Sequence, residues 1–560
     1  MTSDKKNISL LAELFVQHGL ENIVISPGSR NAPIVISFAN NKNINSFTIV
    51  DERSAAFFAL GMALKTGKTV AIACTSGSAV LNYASAISEA YYQKIPLLIL
   101  TADRPEHLID VGDGQTIRQN EVFKNYIKKS YELPLEISSE EDKLKVEKII
   151  NEALNHCQLP EAGPVHINIP FDEPLYNSVN EHTEVKAIIK KPNYKVDKSK
   201  IELLSSEISK SKKVMVIAGQ LRPDENLKDL LSKLCGFENI VVLSETTSNL
   251  FYRGFIDTID NIVSGLNEDE KELFAPEILI SIGGQVVSKM IKKFLRNHKP
   301  IKHYHISPSG EKMDTYFSLT RSVNYNPADF FFSLLKGMQS CESNYNSLWK
   351  NRKSKIDNLK EQYLKHAEYS DFKVFESIVN HLPEDSILHL GNSTPVRYSQ
   401  LFGSKNGIIY NSNRGVSGID GQVSTAAGYT FYSNKLNVLI TGDLGFLYDS
   451  NGLMNSYLKS NFKIIVINNS GGGIFRFIPG PDTTPNLEDV FAYHHNYKSE
   501  FICKAFNVEY LKAENLNTFE DELEVLFNND KPTVLEVFTP EDRNAVILRE
   551  YFGFLRIKQP

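Results

Sequence analysis

Two short stretches hold an acid and an amide where they could bind a metal. In Ile440-Thr441-Gly442-Asp443-Leu444 and Ile467-Asn468-Asn469-Ser470-Gly471-Gly472, each polar side chain stands just past an apolar, β-branched run. Asp443 and Asn469 are 26 positions apart, about one strand–helix–strand crossover. Two neighbouring strand ends can therefore bring one carboxylate and one amide oxygen to a common point. A backbone carbonyl at Gly471 adds a third hard oxygen, a set suited to magnesium, which keeps other positions for phosphate and water. The glycines let backbone amides approach a diphosphate closely. The plainer reading makes Asp443 a helix N-cap and Asn469 a turn former. A third acid, Glu52 in Thr48-Ile49-Val50-Asp51-Glu52-Arg53-Ser54, is expected at a strand end beside a helix start. There its plainest role is a cap worth about 0.3–1 kcal/mol.

Such residues need strand ends to hold them, and the chain supplies three sets. Short apolar bursts at 23–25, 48–50, 70–73, 96–100 and 165–169 alternate with helical patterns at 54–65 and 78–92. A second set lies at 214–217, 240–243, 278–282 and 304–306, and a long helical region over 329–368 leads to a third. The third set has strands at 387–390, 408–410, 438–441, 464–467 and 533–537. Nearly all-apolar strands bounded by turns are expected of parallel sheets covered on both faces. The fold class is thus α/β, with three doubly wound parallel-sheet domains at 1–180, 198–340 and 350–560. The polar, Lys- and Asn-rich stretch 177–200 reads as a linker.

With 560 residues, 42% hydrophobic and 23% charged, the chain can bury several cores. A net charge of −6 offers no basic field for nucleic acid. No apolar run approaches the roughly 18 residues of a membrane span, and Met1–Phe15 does not read as a secretory leader. Five scattered cysteines without a Cys-x-x-Cys pair suit buried thiols in a reducing compartment, so a cytoplasmic location is expected.

The Asp443 and Asn469 motifs resemble the diphosphate anchor of thiamine-diphosphate enzymes, written Gly-Asp-Gly and then Asn-Asn. Leu444 stands where the third glycine is usual. The resemblance implies thiamine diphosphate held through Mg²⁺ or Mn²⁺, with Asp443, Asn469 and Gly471 on the metal. It makes Glu52 the glutamate that hydrogen-bonds N1′ of the cofactor's aminopyrimidine and works as an acid–base group through the cofactor. Pyrimidine chemistry in the first unit and diphosphate chemistry in the third match the decarboxylase branch. There the two binding units come from different subunits, which implies a homodimer at least, or a homotetramer.

Seven blocks in order are similar to the family of 2-succinyl-5-enolpyruvyl-6-hydroxy-3-cyclohexene-1-carboxylate synthases of menaquinone biosynthesis. They are Ser26-Pro27-Gly28-Ser29-Arg30, Asp51-Glu52-Arg53-Ser54-Ala55, Thr75-Ser76-Gly77-Ser78, Thr101-Ala102-Asp103-Arg104-Pro105, the stretch from Gly114 to Gln119, Gly391-Asn392-Ser393, and the stretch from Asn413 to Gly421. The likeness implies a transferase that decarboxylates 2-oxoglutarate and adds the succinyl carbanion to isochorismate. Both substrates carry two carboxylates, so fixed cations are expected. Ser29, Arg30, Arg104, Lys289, Arg397 and Arg414 are the implied substrate binders, because guanidinium groups take carboxylates bidentately. Gln115 would approach the reacting centre. Gly77, Asn392, Ser393, Ser417, Leu444, Gly445 and Gly472 would line the cofactor cleft. Ile419 matches the aliphatic wedge beneath the cofactor, although it could equally be an ordinary core residue. Ile474 and Phe475 would wall the site from water. His494 and His495 read as surface or loop residues. No nucleic-acid partner or stable membrane insertion is expected. Competing readings are a pyruvate-using carboligase, a non-catalytic relative, and a nicotinamide enzyme, which should carry Gly-x-Gly-x-x-Gly where Ser26-Pro27-Gly28-Ser29-Arg30 stands.

Overall fold

The computed structural model describes residues 1–180, 183–191 and 198–557, so part of the expected linker over 177–200 lies outside the described residues. Two compact units are present. One comprises Met1–Asn193, Asn413–Asn434 and Leu447–Phe462; the other comprises Tyr194–Ser412, Lys435–Phe446 and Lys463–Pro560.

The first unit is built on strands β1 (Asn22–Ile25), β2 (Asn45–Thr48), β3 (Val70–Cys74), β4 (Leu97–Asp103), β5 (Ser130–Glu132) and β6 (Val165–Pro170). They form one sheet in the order β2-β1-β3-β4-β6-β5, parallel throughout. β3 and β4 are buried along their whole length, which is why 70–73 and 97–100 read as unbroken apolar runs. In the same unit, helix Glu52–Thr66 crosses helix Gln422–Phe431 at two glycines. A Cβ at Gly61 would stand 2.0 Å from the Thr425 carbonyl oxygen, and one at Gly428 would stand 1.9 Å from that of Phe58. Only glycine permits backbones this close.

The second unit holds two further parallel sheets. Strands β7 (Val214–Ala218), β8 (Ile240–Ser244), β9 (Ile278–Ile282), β10 (Lys302–Ser307) and β11 (Arg321–Asn324) lie in the order β8-β7-β9-β10-β11. Strands β12 (Ile387–Leu390), β13 (Ile409–Asn411), β14 (Asn437–Gly442), β15 (Phe462–Asn468), β16 (Glu509–Ala513) and β17 (Thr533–Phe538) lie in the order β13-β12-β14-β15-β17-β16. This repeats the winding of the first sheet. The expected α/β class with three parallel sheets is what the chain adopts.

Local expectations were corrected in three places. The strand expected at 48–50 ends at Thr48, and Val50 is 64% exposed in the loop that follows. The helical region over 329–368 is two helices, Pro327–Gly337 and Tyr345–Leu364, and the pattern over 78–92 is interrupted at Tyr83. Thr2–Ser3 and Ser178–Val179, which pair antiparallel as a small two-stranded sheet, went unpredicted, and so did three strands of the large sheets, β5, β11 and β16. All three lie at sheet edges and are only partly buried, so they lack the apolar run that marked the others. Cys74, Cys157, Cys235 and Cys503 are buried free thiols. Among the described residues, no helix is long and apolar enough to cross a membrane.

Candidate cofactor and substrate site

In the second unit, β14 delivers Asp443 and β15 delivers Asn469 past their carboxyl ends, where open parallel sheets bind ligands. Asp443 is buried. Its Oδ1 accepts from the Leu444 amide at 2.6 Å and its Oδ2 from the Gly471 amide at 2.8 Å. A carboxylate has lone pairs to spare beyond these two bonds. Gly471 has φ of 138°, and a Cβ there would stand 2.4 Å from the Ala492 carbonyl oxygen, so this close turn requires glycine. The Gly471 carbonyl accepts from the Gly473 amide at 2.9 Å. Asn469 Oδ1 is buried with no hydrogen-bond partner, while its Nδ2 donates to Asp371 Oδ2 at 2.9 Å. A buried orphan acceptor beside a carboxylate and a turn carbonyl suits a hard cation. Among the described residues no three His, Cys, Asp or Glu side chains group as metal ligands.

Leu444 is partly buried and Gly445 is buried, both in the short helix Asp443–Tyr448. Gly472, Ile474 and Phe475 are partly buried in the loop after Asn469, and Phe475 packs on Phe491 with ring centroids 5.9 Å apart. Both late histidines lie in a loop, as expected, with His494 exposed and His495 buried. His495 is 6% exposed, its Nδ1 accepts from the Tyr497 amide at 3.1 Å, and its Nε2 lies 3.3 Å from Asp443 Oδ2. The loop after Asn469 folds back over the strand end and carries it there.

In the first unit, the helix cap falls to Asp51 and not Glu52. Asp51 Oδ1 accepts from the Ser54 amide at 3.0 Å, and Asn451 holds its Oδ2 at 2.7 Å. Glu52 is therefore spared that duty. Its Oε2 accepts from Asn82 Nδ2 at 3.2 Å, and its charge helps burial push up the Cys74 thiol. Gly77 has φ of 85°, and its amide donates to Gln119 Oε1 at 3.0 Å. Gln115 is exposed with φ of 55°, and Ser417 is partly buried with φ of 64°. In the second unit Ser393 has φ of 74°, next to buried Asn392. Left-handed backbone at non-glycine residues is uncommon and gathers at functional sites. Ile419 is 38% exposed, which removes the core-residue reading and leaves an apolar side chain open for contact.

The implied substrate cations divide between the units. Arg30, Arg104 and Arg414 belong to the first, with Ser29 exposed beside Arg30. Arg30 is buried: Nη1 donates to the Phe171 carbonyl at 2.9 Å and Nη2 lies 3.3 Å from Glu173. Burial and the like charge of Arg104 pull its pKa down. Arg104 pairs with Asp113 at 3.1 Å, and both arginines keep a buried Nε without a partner. Two adjacent guanidinium groups with unused donors suit an anion with several oxygens. Arg414 is buried. In the second unit, Arg397 Nη1 donates to the Ser393 carbonyl at 2.6 Å and faces the charge of Asp260; Lys289 is exposed at the start of helix Lys289–Asn297.

Several supporting roles went unassigned in the sequence, including those of Gln119 and Asp103 inside the motif blocks. Buried Gln119 joins Gly77 to the Ala102 carbonyl and to Asn168, whose Nδ2 holds Asp103. Glu89 accepts from the amides of Gly415 and Val416 at 2.6 and 2.8 Å, beside Arg414 and Ser417. Glu245 accepts from the amides of Val287 and Ser288 at 2.6 and 2.7 Å, just before Lys289, and burial pushes its carboxyl up to about 7. Asp371, beside Asn469, is pushed up to about 6 by burial. Glu89, Glu245 and Asp371 each lie in a helix or just past a strand end with no motif around them.

The chain is a thiamine pyrophosphate enzyme, as three family models show. Residues 7–127 match the thiamine pyrophosphate enzyme N-terminal binding domain, 191–390 the middle domain, and 394–537 the C-terminal binding domain. Over 97% of both chains it is 44% identical to a protein of Flavobacterium johnsoniae and 43% identical to one of Christiangramia forsetii. It is 39% identical to one of Porphyromonas gingivalis, over 99% of this chain and 98% of that one. Each of these relatives is named 2-succinyl-5-enolpyruvyl-6-hydroxy-3-cyclohexene-1-carboxylate synthase, and the chain belongs to that family.

Proposed function

We propose that this chain decarboxylates 2-oxoglutarate and joins the remaining four-carbon unit to isochorismate, forming 2-succinyl-5-enolpyruvyl-6-hydroxy-3-cyclohexene-1-carboxylate and CO₂ in menaquinone biosynthesis. Full-length family membership supports the reaction. The observation that carries the site is Asn469 Oδ1, buried and unpaired just past the end of β15. Asp443, Asn469 and the Gly471 carbonyl are the groups that would hold Mg²⁺ or Mn²⁺, and the metal would hold the diphosphate. Gly77, Asn392, Ser393, Ser417, Leu444, Gly445 and Gly472 would line the cofactor, with Ile419 beneath it. When bound, thiamine diphosphate supplies a centre that accepts the electron pair released as CO₂ leaves. Glu52 holds and moves a proton at its carboxylate, work for which the cap at Asp51 leaves it available. Arg30 and Arg104, with Arg397, Arg414, Lys289 and Ser29, bind and orient substrate carboxylates, and Gln115 stands at the reacting centre. Ile474 and Phe475 exclude water, which protects a carbanionic carbon from protonation.

On this reading, residues 1–180 form the pyrimidine-binding domain, 198–340 the central domain and 350–560 the diphosphate-binding domain. The site is completed by a second copy, in a homodimer or homotetramer, in the cytoplasm, where buried free thiols persist. CO₂ release should depend on 2-oxoglutarate, with isochorismate consumed in step. Glu52→Gln should lower the rate by roughly 10²–10⁴ with the fold intact. Faster release from pyruvate, with isochorismate untouched, would overturn the substrate assignment.

A further inference from the structure

We propose that Asp371 decides which atom of Asn469 faces the metal, making it a positioning residue for the diphosphate anchor. The inference rests on the reading of Asp443, Asn469 and Gly471 as the metal-binding set. The two ends of a carboxamide have nearly the same shape, so packing alone does not distinguish oxygen from nitrogen. Chemistry does, because only the oxygen can bind a cation.

In this chain a carboxylate sorts the two ends. Asp371 Oδ2 accepts from Asn469 Nδ2 at 2.9 Å in a fully buried position. Turning the amide over would set oxygen against oxygen there and lose the bond. The carboxylate is itself prevented from turning, because Thr539 Oγ1 donates to Oδ1 at 2.6 Å. Its backbone amide donates to Asn544 Oδ1 at 2.8 Å, and Asn544 Nδ2 reaches Thr539 Oγ1 at 3.2 Å. Asn469 Oδ1 is thus left buried and unpaired on the other side of the amide. The neighbouring Asn468 shows the contrast. Its Nδ2 donates to Glu536 and its Oδ1 accepts from the Ser470 amide, so both ends are spent on structure.

The test is Mn²⁺ binding, followed by electron paramagnetic resonance, to the full-length protein with thiamine diphosphate present. Asp371→Leu should weaken Mn²⁺ binding about 10–100-fold, the range for losing a partner that orients a metal ligand. At saturating Mn²⁺ its kcat should return to within about twofold of wild type. Asp371→Asn, which keeps an acceptor oxygen, should recover most of the affinity. Thr539→Val, which frees the carboxylate to turn, should weaken binding severalfold and guards against misfolding of the leucine variant. Unchanged Mn²⁺ affinity in the folded variants would overturn the inference, as would a loss of kcat that excess metal does not restore. If wild type bound no Mn²⁺ beside the cofactor, the metal-set reading itself would fall, and this inference with it.

Discussion

Glu89→Gln tests how the loop carrying Arg414 and Ser417 is held. The carboxylate is 1% exposed and receives three hydrogen bonds: Gly415 amide at 2.6 Å, Val416 amide at 2.8 Å and Gln93 Nε2 at 2.5 Å. The two amides end on different oxygens, so both are needed. Glutamine keeps the shape but offers one acceptor, and its NH₂ must face one of the donors. A buried unsatisfied donor costs about 1–3 kcal/mol. The loop cannot absorb this by moving closer, because a Cβ at Gly415 would already lie 2.6 Å from the Glu89 carbonyl oxygen. It must instead loosen, and Arg414 with it. If the full cost reaches substrate binding, KM should rise about 5–150-fold at 1.4 kcal/mol per decade. Steady-state kinetics with each substrate, alongside thermal unfolding, measures both consequences. A variant with KM within twofold and unchanged unfolding would refute the idea that this carboxylate holds the loop.

Three other outcomes follow from the same geometry. Gly428→Ala should destabilise by about 3 kcal/mol or more, the upper end for overpacking, since its Cβ would meet backbone at 1.9 Å; calorimetry checks it. Ile419→Ala should weaken thiamine diphosphate binding about tenfold by titration while leaving Tm nearly unchanged, because the side chain is already 38% exposed. Asp449 is pushed up to about 7 by burial, against hydrogen bonds from Ser424. A raised carboxyl pKa means the folded state binds the proton more tightly, so its contribution is full below about 4 and is lost as pH rises to about 7. Wild type should therefore lose stability over that window, by at most about 1.4 kcal/mol per pH unit, relative to Asp449→Asn; equal slopes in denaturant titrations would count against it.

Much was legible in the residues alone. Inner strands such as β3, β4 and β15 declared themselves because burial on both faces leaves them mostly apolar, and Asp443 and Asn469 stood directly past two of the strand ends. Spacing suggested that one carboxylate and one amide could meet, and the run of motifs pointed to the family. Tertiary structure alone decided the rest. It assigned the cap to Asp51 over Glu52, buried His495 against Asp443, and exposed Ile419. It also chose the acids that hold the site, joining Glu89 to a loop 326 positions away and Asp371 to an amide 98 positions away. Periodicity records how deeply a segment is buried. Which partner stands opposite a buried polar atom depends on how distant segments close in space, and no local pattern carries that information.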